Sequence, residues 1–468
     1  MQTRSIADLP GPRGLPILGN ALQLETSRMH LIAEEWSRRY GECFRFRIGP
    51  RQVVGLANPE TIAALLRERP DGFQRSTRLG EIAEDMGFNG LFAAEGDAWR
   101  RQRPMVMASF DPKHIKTYFP ALLKVTQRFE RRWQRTAAAG ESLDLQADLM
   151  RYTVDVTAGL AFGTDINTLE SDEEVIQTHL DKVFPALFKR LFAPFPFWRW
   201  FRDRKLDFHL QALQRAVGDF IAQARTRMEA KPELREHPTN LIEAMIAARD
   251  NPGSGLTDSD VAGNVLTMLL AGEDTTANTL AWMIYLLYRH PEALRRAREE
   301  ISSRGNAMPQ RYEDMTSLPF VDACINETMR LKPVAPIIVL QPKRDTVVSD
   351  IEVPKGTLLM CLMRAGATDE RRFPGARSFD PERWMDGQMR GASANSPKRV
   401  SMPFGAGPRL CPGRYLAILE MKMVIAMLLS GFDIESVTTP DGREAQEHLA
   451  FTMFPVGLRL KLAPRAKA

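Results

Sequence analysis

Phe404-Gly405-Ala406-Gly407-Pro408-Arg409-Leu410-Cys411-Pro412-Gly413-Arg414 is a glycine-punctuated loop that carries one cysteine. An apolar, helix-like run from Tyr415 to Leu429 follows it. Gly405, Gly407 and Gly413 let the backbone pass close to something flat or bulky. Backbone N–H groups turned toward the sulfur, together with the start of a helix, favour a thiolate over a thiol. A thiolate held in this way is a ligand for a soft metal centre. A lone cysteine in such a loop is also an ordinary small buried residue. Local chemistry alone leaves both readings standing.

The wider pattern separates them. Phe404-Gly405-x-Gly407-x-Arg409-x-Cys411-x-Gly413 resembles, at every defined position, the heme-binding signature of the cytochrome P-450 superfamily. The resemblance implies a mainly α fold with a smaller β region and a long central helix over the heme. It implies heme b, its iron held by the Cys411 thiolate, with Phe404 and Gly405 in the cofactor-binding loop. It also implies a monooxygenase that inserts one atom of O2 into a hydrophobic small molecule, most often at a C–H bond. Pro412 follows the cysteine; it suits the first turn of a helix but has no N–H to offer the sulfur. Fewer donors leave a more electron-rich thiolate.

The chain has 468 residues, 44% of them hydrophobic, which is room for a large core. Length suggests two or three domains. No low-complexity linker or fixed-period repeat divides the chain, so residues 1–468 read as one domain. Its β-rich parts are expected at about 40–57 and 335–400, with further strands at the C-terminus and helices elsewhere. A net charge of +5 is too mild for a nucleic-acid binder but allows a basic patch for an acidic protein. Cys43, Cys324, Cys361 and Cys411 show no C-x-x-C spacing, which argues against zinc and iron–sulfur sites. Their scatter is no disulfide framework and fits a reducing cytoplasm. The first residues offer no apolar run for a signal peptide or membrane anchor. Pro10-Gly11-Pro12-Arg13-Gly14-Leu15-Pro16 is similar to the hinge that follows the anchor in membrane-bound P-450 enzymes. The expectation is therefore a soluble, bacterial-type, cytoplasmic monomer without a membrane span.

Met29 to Tyr40 reads as a helix, and Glu42 to Ile48 and Gln52 to Leu56 read as strands. Asn58-Pro59 opens a helix ending near Arg69-Pro70. Residues 71–95 read as irregular, with Gly90-Leu91-Phe92 near their end. In P-450 enzymes this region roofs the substrate pocket, so Phe92 is a candidate substrate contact as well as a plain core aromatic. Trp99 and Arg103 stand in W-x-x-x-R spacing, and on a helix i and i+4 share a face. An indole N–H and a guanidinium only donate, so together they can hold a carboxylate. The resemblance gives that pair one heme propionate and gives Arg409 the other. Residues 115–250 are long helical patterns, interrupted by the aromatic-basic cluster Pro194-Phe195-Pro196-Phe197-Trp198-Arg199-Trp200-Phe201-Arg202. Such a cluster suits lipid contact; a loop packed on its own protein is the simpler reading.

Thr257-Asp258-Ser259-Asp260 is a capping-box start, and no proline follows until Pro291. That predicts about thirty helical residues, roughly 45–50 Å long. Its middle, Ala271-Gly272-Glu273-Asp274-Thr275-Thr276, is unusual for a buried helix. Gly costs about 1 kcal/mol against Ala there, and Thr hydroxyls bond back to carbonyls and bend helices. A packing kink would account for it. The block also resembles the family's [AG]-G-x-[DE]-T pattern. On that resemblance Ala271 and Gly272 make room beside the heme, and Ala271 also borders the substrate. Thr275 holds O2 and water, and Asp274 brings protons from the solvent side. The acid–threonine pair implies an O2-using enzyme rather than a peroxide-dependent one.

Glu327 and Arg330 lie at i, i+3 on one helix face. An isolated E-x-x-R occurs in many helices. With Phe379-Asp380-Pro381-Glu382-Arg383-Trp384 downstream, the resemblance implies a buried structural pair completed by Arg383. No flavin- or ferredoxin-like segment stands in the sequence. Electrons from NAD(P)H are then expected through a separate ferredoxin- or flavodoxin-type donor, drawn to Arg100, Arg101 and Arg414. A fatty acid or other lipid is the favoured substrate, with terpenoids and steroids also open. Arg51 follows Gly49-Pro50, where fatty-acid hydroxylases carry a carboxylate-binding base, but Gly55 replaces their accompanying tyrosine. Two other classes stand against this reading: a heme-thiolate binder or sensor without turnover, and a helical scaffold without heme. The acid–threonine pair favours turnover.

Overall fold

The computed structural model describes residues 3–465, apart from 111, 172–175, 194, 305–307, 316, 373 and 386–396. The chain begins with strand Arg4–Ser5 (β1), helix Met29–Tyr40 (α1) and strands Cys43–Ile48 (β2) and Arg51–Leu56 (β3). Phe44, Phe46 and Ile48 are buried while Arg45 and Arg47 between them are exposed, the period-two pattern of a half-buried strand. Gly49-Pro50 turns the hairpin, with Ile48 opposite Arg51 and Gly49 at φ +60°. Gly55 pairs with Phe44, and a Cβ there would lie 2.2 Å from the Phe44 ring, so no tyrosine fits at 55 beneath that ring. Asn58 caps helix Pro59–Arg67 (α2) by accepting from Thr61 N at 2.9 Å. Residues 71–95 are less irregular than expected: they hold strand Phe73–Arg75 (β4) and helix Thr77–Asp85 (α3). Three residues are too few to show a period; β4 exists because a distant strand pairs with it.

The helical body follows: Gly96–Ser109 (α4), Pro112–Ala138 (α5), strand Ser142–Asp144 (β5), Leu145–Phe162 (α6), Ile176–Phe192 (α7), Arg204–Ala230 (α8), Leu241–Asp250 (α9) and Asp258–Arg289 (α10). Next come Pro291–Ser302 (α11), Tyr312–Met315 (α12) and Pro319–Leu331 (α13). The chain returns to the sheet through Ile337–Pro342 (β6), Thr346–Val348 (β7), Ile351–Val353 (β8) and Leu358–Leu362 (β9). Helices Pro397–Val400 (α14) and Arg414–Gly431 (α15) precede the closing strands Phe432–Thr438 (β10), Glu447–Leu449 (β11), Met453–Pro455 (β12) and Arg459–Pro464 (β13). Helix takes 56% and strand 13%, so the fold is mainly α with a smaller β region. The main sheet has order β2-β3-β9-β6-β4, parallel only between β3 and β9. Among the described residues, no helix is long and apolar enough to cross a membrane.

Helix α10 runs through the core. Its capping box is present: Asp260 N donates to Thr257 Oγ1 at 3.1 Å, and Thr257 N to Asp260 Oδ2 at 2.8 Å. It lies closely along α6, where a Cβ on Gly272 would sit 2.4 Å from Thr157 Oγ1. Gly90 and Gly263 bring the 90–92 segment equally close: a Cβ on Gly90 would meet Thr267 Oγ1 at 2.1 Å. Leu91 N then donates to Asn264 Oδ1 at 2.9 Å, which fixes Phe92 beside α10.

One buried ion cluster anchors the segment that leads toward the cysteine loop. Glu327 accepts from Arg330 Nε and Nη2, both at 2.7 Å, with neither side chain exposed. The same carboxylate accepts from Asp380 N at 2.9 Å, Trp384 Nε1 at 2.9 Å and Arg383 Nε at 3.3 Å. Arg330 in turn donates to the carbonyls of Ala367, Ala376 and Ser378.

Candidate active site

The cysteine loop is built by its glycines. Gly405 and Gly407 hold φ +77° and +69°, and Cys411 N donates to Phe404 O at 3.0 Å, closing the loop on itself. Gly407 presses on the end of α2, where a Cβ would lie 2.6 Å from Arg67 Cα. A Cβ on Gly405 would meet nothing within 4 Å, so this side of the loop faces open space. The N–H groups of Gly413 and Arg414, beyond Pro412, donate to the Cys411 sulfur. Burial still pushes the thiol up, and those donors and the charges of Arg103 and Arg414 offset only part of it. The expected bias toward thiolate is therefore outweighed in the bare protein. A metal cation at the sulfur would supply the missing stabilisation.

Around the loop lies an excess of positive charge. Trp99 and Arg103 occur on α4 as the spacing predicts, but they have separate contacts. Arg103 Nη2 donates to Leu410 O at 2.5 Å, while the Arg409 guanidinium lies 4.9 Å from the Trp99 ring centre. Arg409 also donates to Ala94 O at 2.6 Å and Glu95 Oε2 at 2.7 Å. Burial, with the charges of Arg69 and Arg103, pushes it down to about 10, against the pull of Glu95. Arg75, on β4, is pushed well below its usual value by burial and by Arg69 and Arg409. Its guanidinium lies 3.9 Å from the Phe92 ring centre. Arg69 Nη2 stands 3.5 Å from Glu95 Oε1. The guanidiniums of Arg69, Arg75 and Arg409 thus share one nearby carboxylate, Glu95. The Nε atoms of Arg69, Arg75 and Arg409 are shut off from solvent without a hydrogen-bond partner. Buried N–H donors on cations call for anions. Two carboxylates of one planar cofactor beside the cysteine loop would answer that, so the residues present fit heme. The sequence reading missed Arg69 and Arg75 because no motif marks them; only the β4–β6 pairing brings Arg75 here.

On α10, Ala271 is exposed although Thr267 to Leu269 and Glu273 to Asp274 are buried, so it borders an internal space. Gly272, partly exposed, also lets α10 approach α6, since a Cβ there would lie 2.4 Å from Thr157 Oγ1. Thr275 Oγ1 donates to Ala271 O at 2.8 Å, and Thr153 Oγ1 of α6 to Glu273 O at 2.9 Å. The Asp274 carboxylate accepts from Asn278 Nδ2 at 2.5 Å and from the Thr452 hydroxyl. Gln146 Nε2 donates to Asn278 Oδ1 at 3.0 Å and completes the network. Phe451, next to Thr452, joins Phe92 (centroids 5.6 Å) to Phe184 on α7 (5.1 Å). Phe92 is a candidate from sequence, but its partners Phe451 and Phe184, and Thr452, are invisible there, because no motif marks them.

Arg51 lies away from this cluster, at a small cavity lined by Ile48, Val53, Ser76, Phe192 and Met360. Its Nη2 donates to Ala193 O at 2.9 Å, and its Nε is buried without a partner. Arg78 is close enough that the Arg51 charge helps burial push it down to about 10; its guanidinium lies 4.9 Å from the Trp198 ring centre. Arg78 Nε and Nη2 are likewise buried and unpartnered. Of the arginines expected to draw an electron donor, Arg100 is paired with Asp97 and Asp71, and Arg414 stacks on Tyr415 at 4.2 Å.

The family profile described as Cytochrome P450 matches residues 9–462. A pentalenene oxygenase of Streptomyces avermitilis is 26% identical over 456 residues, covering 97% of this chain and 97% of that protein. The mitochondrial 25-hydroxyvitamin D-1 alpha hydroxylase of Mus musculus is 28% identical over 456 residues, covering 92% and 87%. The crystal structure of a cytochrome P450, CYP102L1, matches with a TM-score of 0.84 at 24% identity, covering 98% of this chain and 99% of that one. With a glycine-built cysteine loop, a crowded set of arginines beside it and a family match along nearly its whole length, the chain belongs to the cytochrome P450 family.

Proposed function

We propose that this cytochrome P450 inserts one atom of O2 into a C–H bond of a lipid with an anionic head, using electrons from a separate ferredoxin- or flavodoxin-type protein. The arginine cluster carries the cofactor assignment, because its buried N–H groups need anions beside Cys411. Heme b, when bound through Cys411, supplies O2 activation. Arg409 and Arg75, supported by Trp99, Arg103 and Arg69, hold its propionates. Asp274, held by Asn278 and Thr452, takes up a proton from the solvent side and passes it toward Thr275. The Thr275 hydroxyl, released from Ala271 O, hands that proton into the space beside Ala271. Phe92, Phe451 and Phe184 give the substrate an apolar wall. Arg51 and Arg78 take its anionic head, since both carry buried donors without acceptors. Relatives named for pentalenene and 25-hydroxyvitamin D support a hydrophobic body.

A panel of fatty carboxylates and their methyl esters, read by the heme spin-state shift, tests the substrate. Carboxylates should bind tighter than esters, and Arg51→Gln with Arg78→Gln should erase the difference. Equal binding of acid and ester to the parent protein would contradict the anionic head. Turnover with a surrogate ferredoxin, its reductase and NAD(P)H tests the reaction. Asp274→Asn should slow it about 100-fold or more with the spin shift retained. A spin shift without product in the parent would favour a binder over an enzyme.

A further inference from the structure

A cavity of about 430 Å³ lies among α1, the ends of α10 and α13, the 364–379 segment and β11. That volume is within the range of small-molecule sites. None of the side chains placed above at the heme or the substrate lines it. Leu31, Leu286, Leu331 and Phe379 give it apolar walls, and the Phe379 ring lies 5.1 Å from the His290 ring. Its charged lining is out of balance: four cations, Arg38, Lys332, Arg364 and Arg377, meet two carboxylates, Glu34 and Glu447. Inner cations take up both of those carboxylates. Glu34 accepts from Arg364 Nε and Nη2, each at 3.0 Å. Glu447 accepts from Arg364 at 2.7 and 3.0 Å and from Lys332 at 2.5 Å, and it lies 2.8 Å from His30 Nε2. Burial pushes Glu447 up, yet the hydrogen bond with His30 and the charges of Arg364 and Lys332 hold it well below the usual carboxylate range.

Arg38 and Arg377 are left over. Glu34 stands one turn before Arg38, the spacing at which such pairs form on a helix, but it is committed to Arg364. Arg38 and Arg377 both line the cavity and are exposed, and neither has a hydrogen-bond or ion-pair partner among the described residues. Other arginines close to them in sequence do have partners. Arg371 pairs with Asp369 at 2.6 Å and Arg372 with Glu60 at 2.9 Å, while the Arg39 guanidinium lies 5.4 Å from the Tyr40 ring centre. Water can hydrate a lone exposed guanidinium. Two of them at one partly apolar cavity, whose carboxylates are already taken, make a place for an anion. We propose that this cavity binds a small organic carboxylate with a compact apolar body. Arg38 and Arg377 hold the carboxylate, whose planar pair of oxygens suits the guanidinium fork. Leu286, Leu331 and Phe379 take the body.

Calorimetric titration of the heme-loaded protein with 1-naphthoate, and with the uncharged 1-naphthamide of nearly the same shape, tests the site apart from any substrate. Naphthoate should bind at least about tenfold tighter than the amide, without moving the heme spin state. It should also raise the urea midpoint, because it binds the folded chain and not the unfolded one. The Arg38→Gln/Arg377→Gln variant should bind naphthoate about tenfold more weakly than the parent. Both positions are exposed, so its reduced carbon monoxide spectrum should match the parent. Arg51→Gln with Arg78→Gln should leave naphthoate binding unchanged, which separates this site from the one proposed for the substrate's head. Equal binding of acid and amide, or undiminished binding in the Arg38→Gln/Arg377→Gln variant, would overturn the proposal. So would a spin-state shift with naphthoate that the Arg51→Gln/Arg78→Gln variant loses, because the acid would then sit in the substrate's cavity.

Discussion

Glu327→Ala removes the carboxylate on which the segment before the cysteine loop is hung. Five donors converge on that side chain: Arg330 Nε and Nη2, Arg383 Nε, Trp384 Nε1 and Asp380 N. Glu327 is 0% exposed and Arg330 1%, so water cannot replace the lost acceptor. Breaking a buried pair from one side costs about 3–5 kcal/mol. Each neutral N–H left without an acceptor adds about 1–3 kcal/mol. These terms overlap, and a loss of roughly 5–8 kcal/mol stands against the 5–15 kcal/mol of a whole folded domain. The variant should accumulate little or no heme protein, and urea melts of any soluble fraction should show that loss. Glu327→Gln keeps one acceptor and should fall between parent and alanine variant. A Glu327→Ala protein with normal heme content and an unshifted urea midpoint would refute the reasoning.

Burial holds the Glu420 carboxyl neutral, with its pKa well above the usual range despite a hydrogen bond with Thr276. A raised folded pKa gives stability that is complete below the unfolded value of about 4.3 and is lost as pH rises toward the folded one, at about 1.4 kcal/mol per unit. Glu420→Gln should therefore gain on the parent as pH rises above about 5; a constant difference in urea melts would contradict this. Arg75→Leu relieves a crowded buried charge but removes a proposed propionate partner. The apoprotein should be no less stable, while heme transfer to apomyoglobin quickens roughly 10–100-fold; unchanged transfer would remove Arg75 from the site. Arg414→Glu should slow reduction by a surrogate ferredoxin and flatten its salt dependence; an unaltered rate would place donor docking elsewhere.

What could be read in the sequence was what local chemistry writes at fixed spacing. The ends of α10 follow from a capping box and a proline, and the hairpin β2–β3 from alternation around Gly49-Pro50. Cys411, Asp274, Glu327 and Arg330 stand out because each motif confines its own geometry to one loop or one helical turn. The rest depends on partners far along the chain. Arg75 belongs to a strand too short to show a period, and it reaches the cysteine loop only through β6. Asp274 is held by Thr452, almost two hundred residues away, in a turn with no signature. Gly272 sits in a motif that suggests room for a cofactor, and nothing in the sequence shows that its missing Cβ also lets Thr157 of the neighbouring helix approach. Exposure is hardest to read: Trp198 and Trp200 are near neighbours in one aromatic run, one buried and one in solvent.

Reduced protein exposed to carbon monoxide gives the most direct test of Cys411 as the iron ligand. The parent should show the red-shifted Soret band that only a thiolate-bound heme produces. Cys411→His should retain heme but shift that band back to the position of an imidazole-bound heme. A parent without the red-shifted band, or a Cys411→His variant that keeps it, would contradict a heme-thiolate centre at this loop.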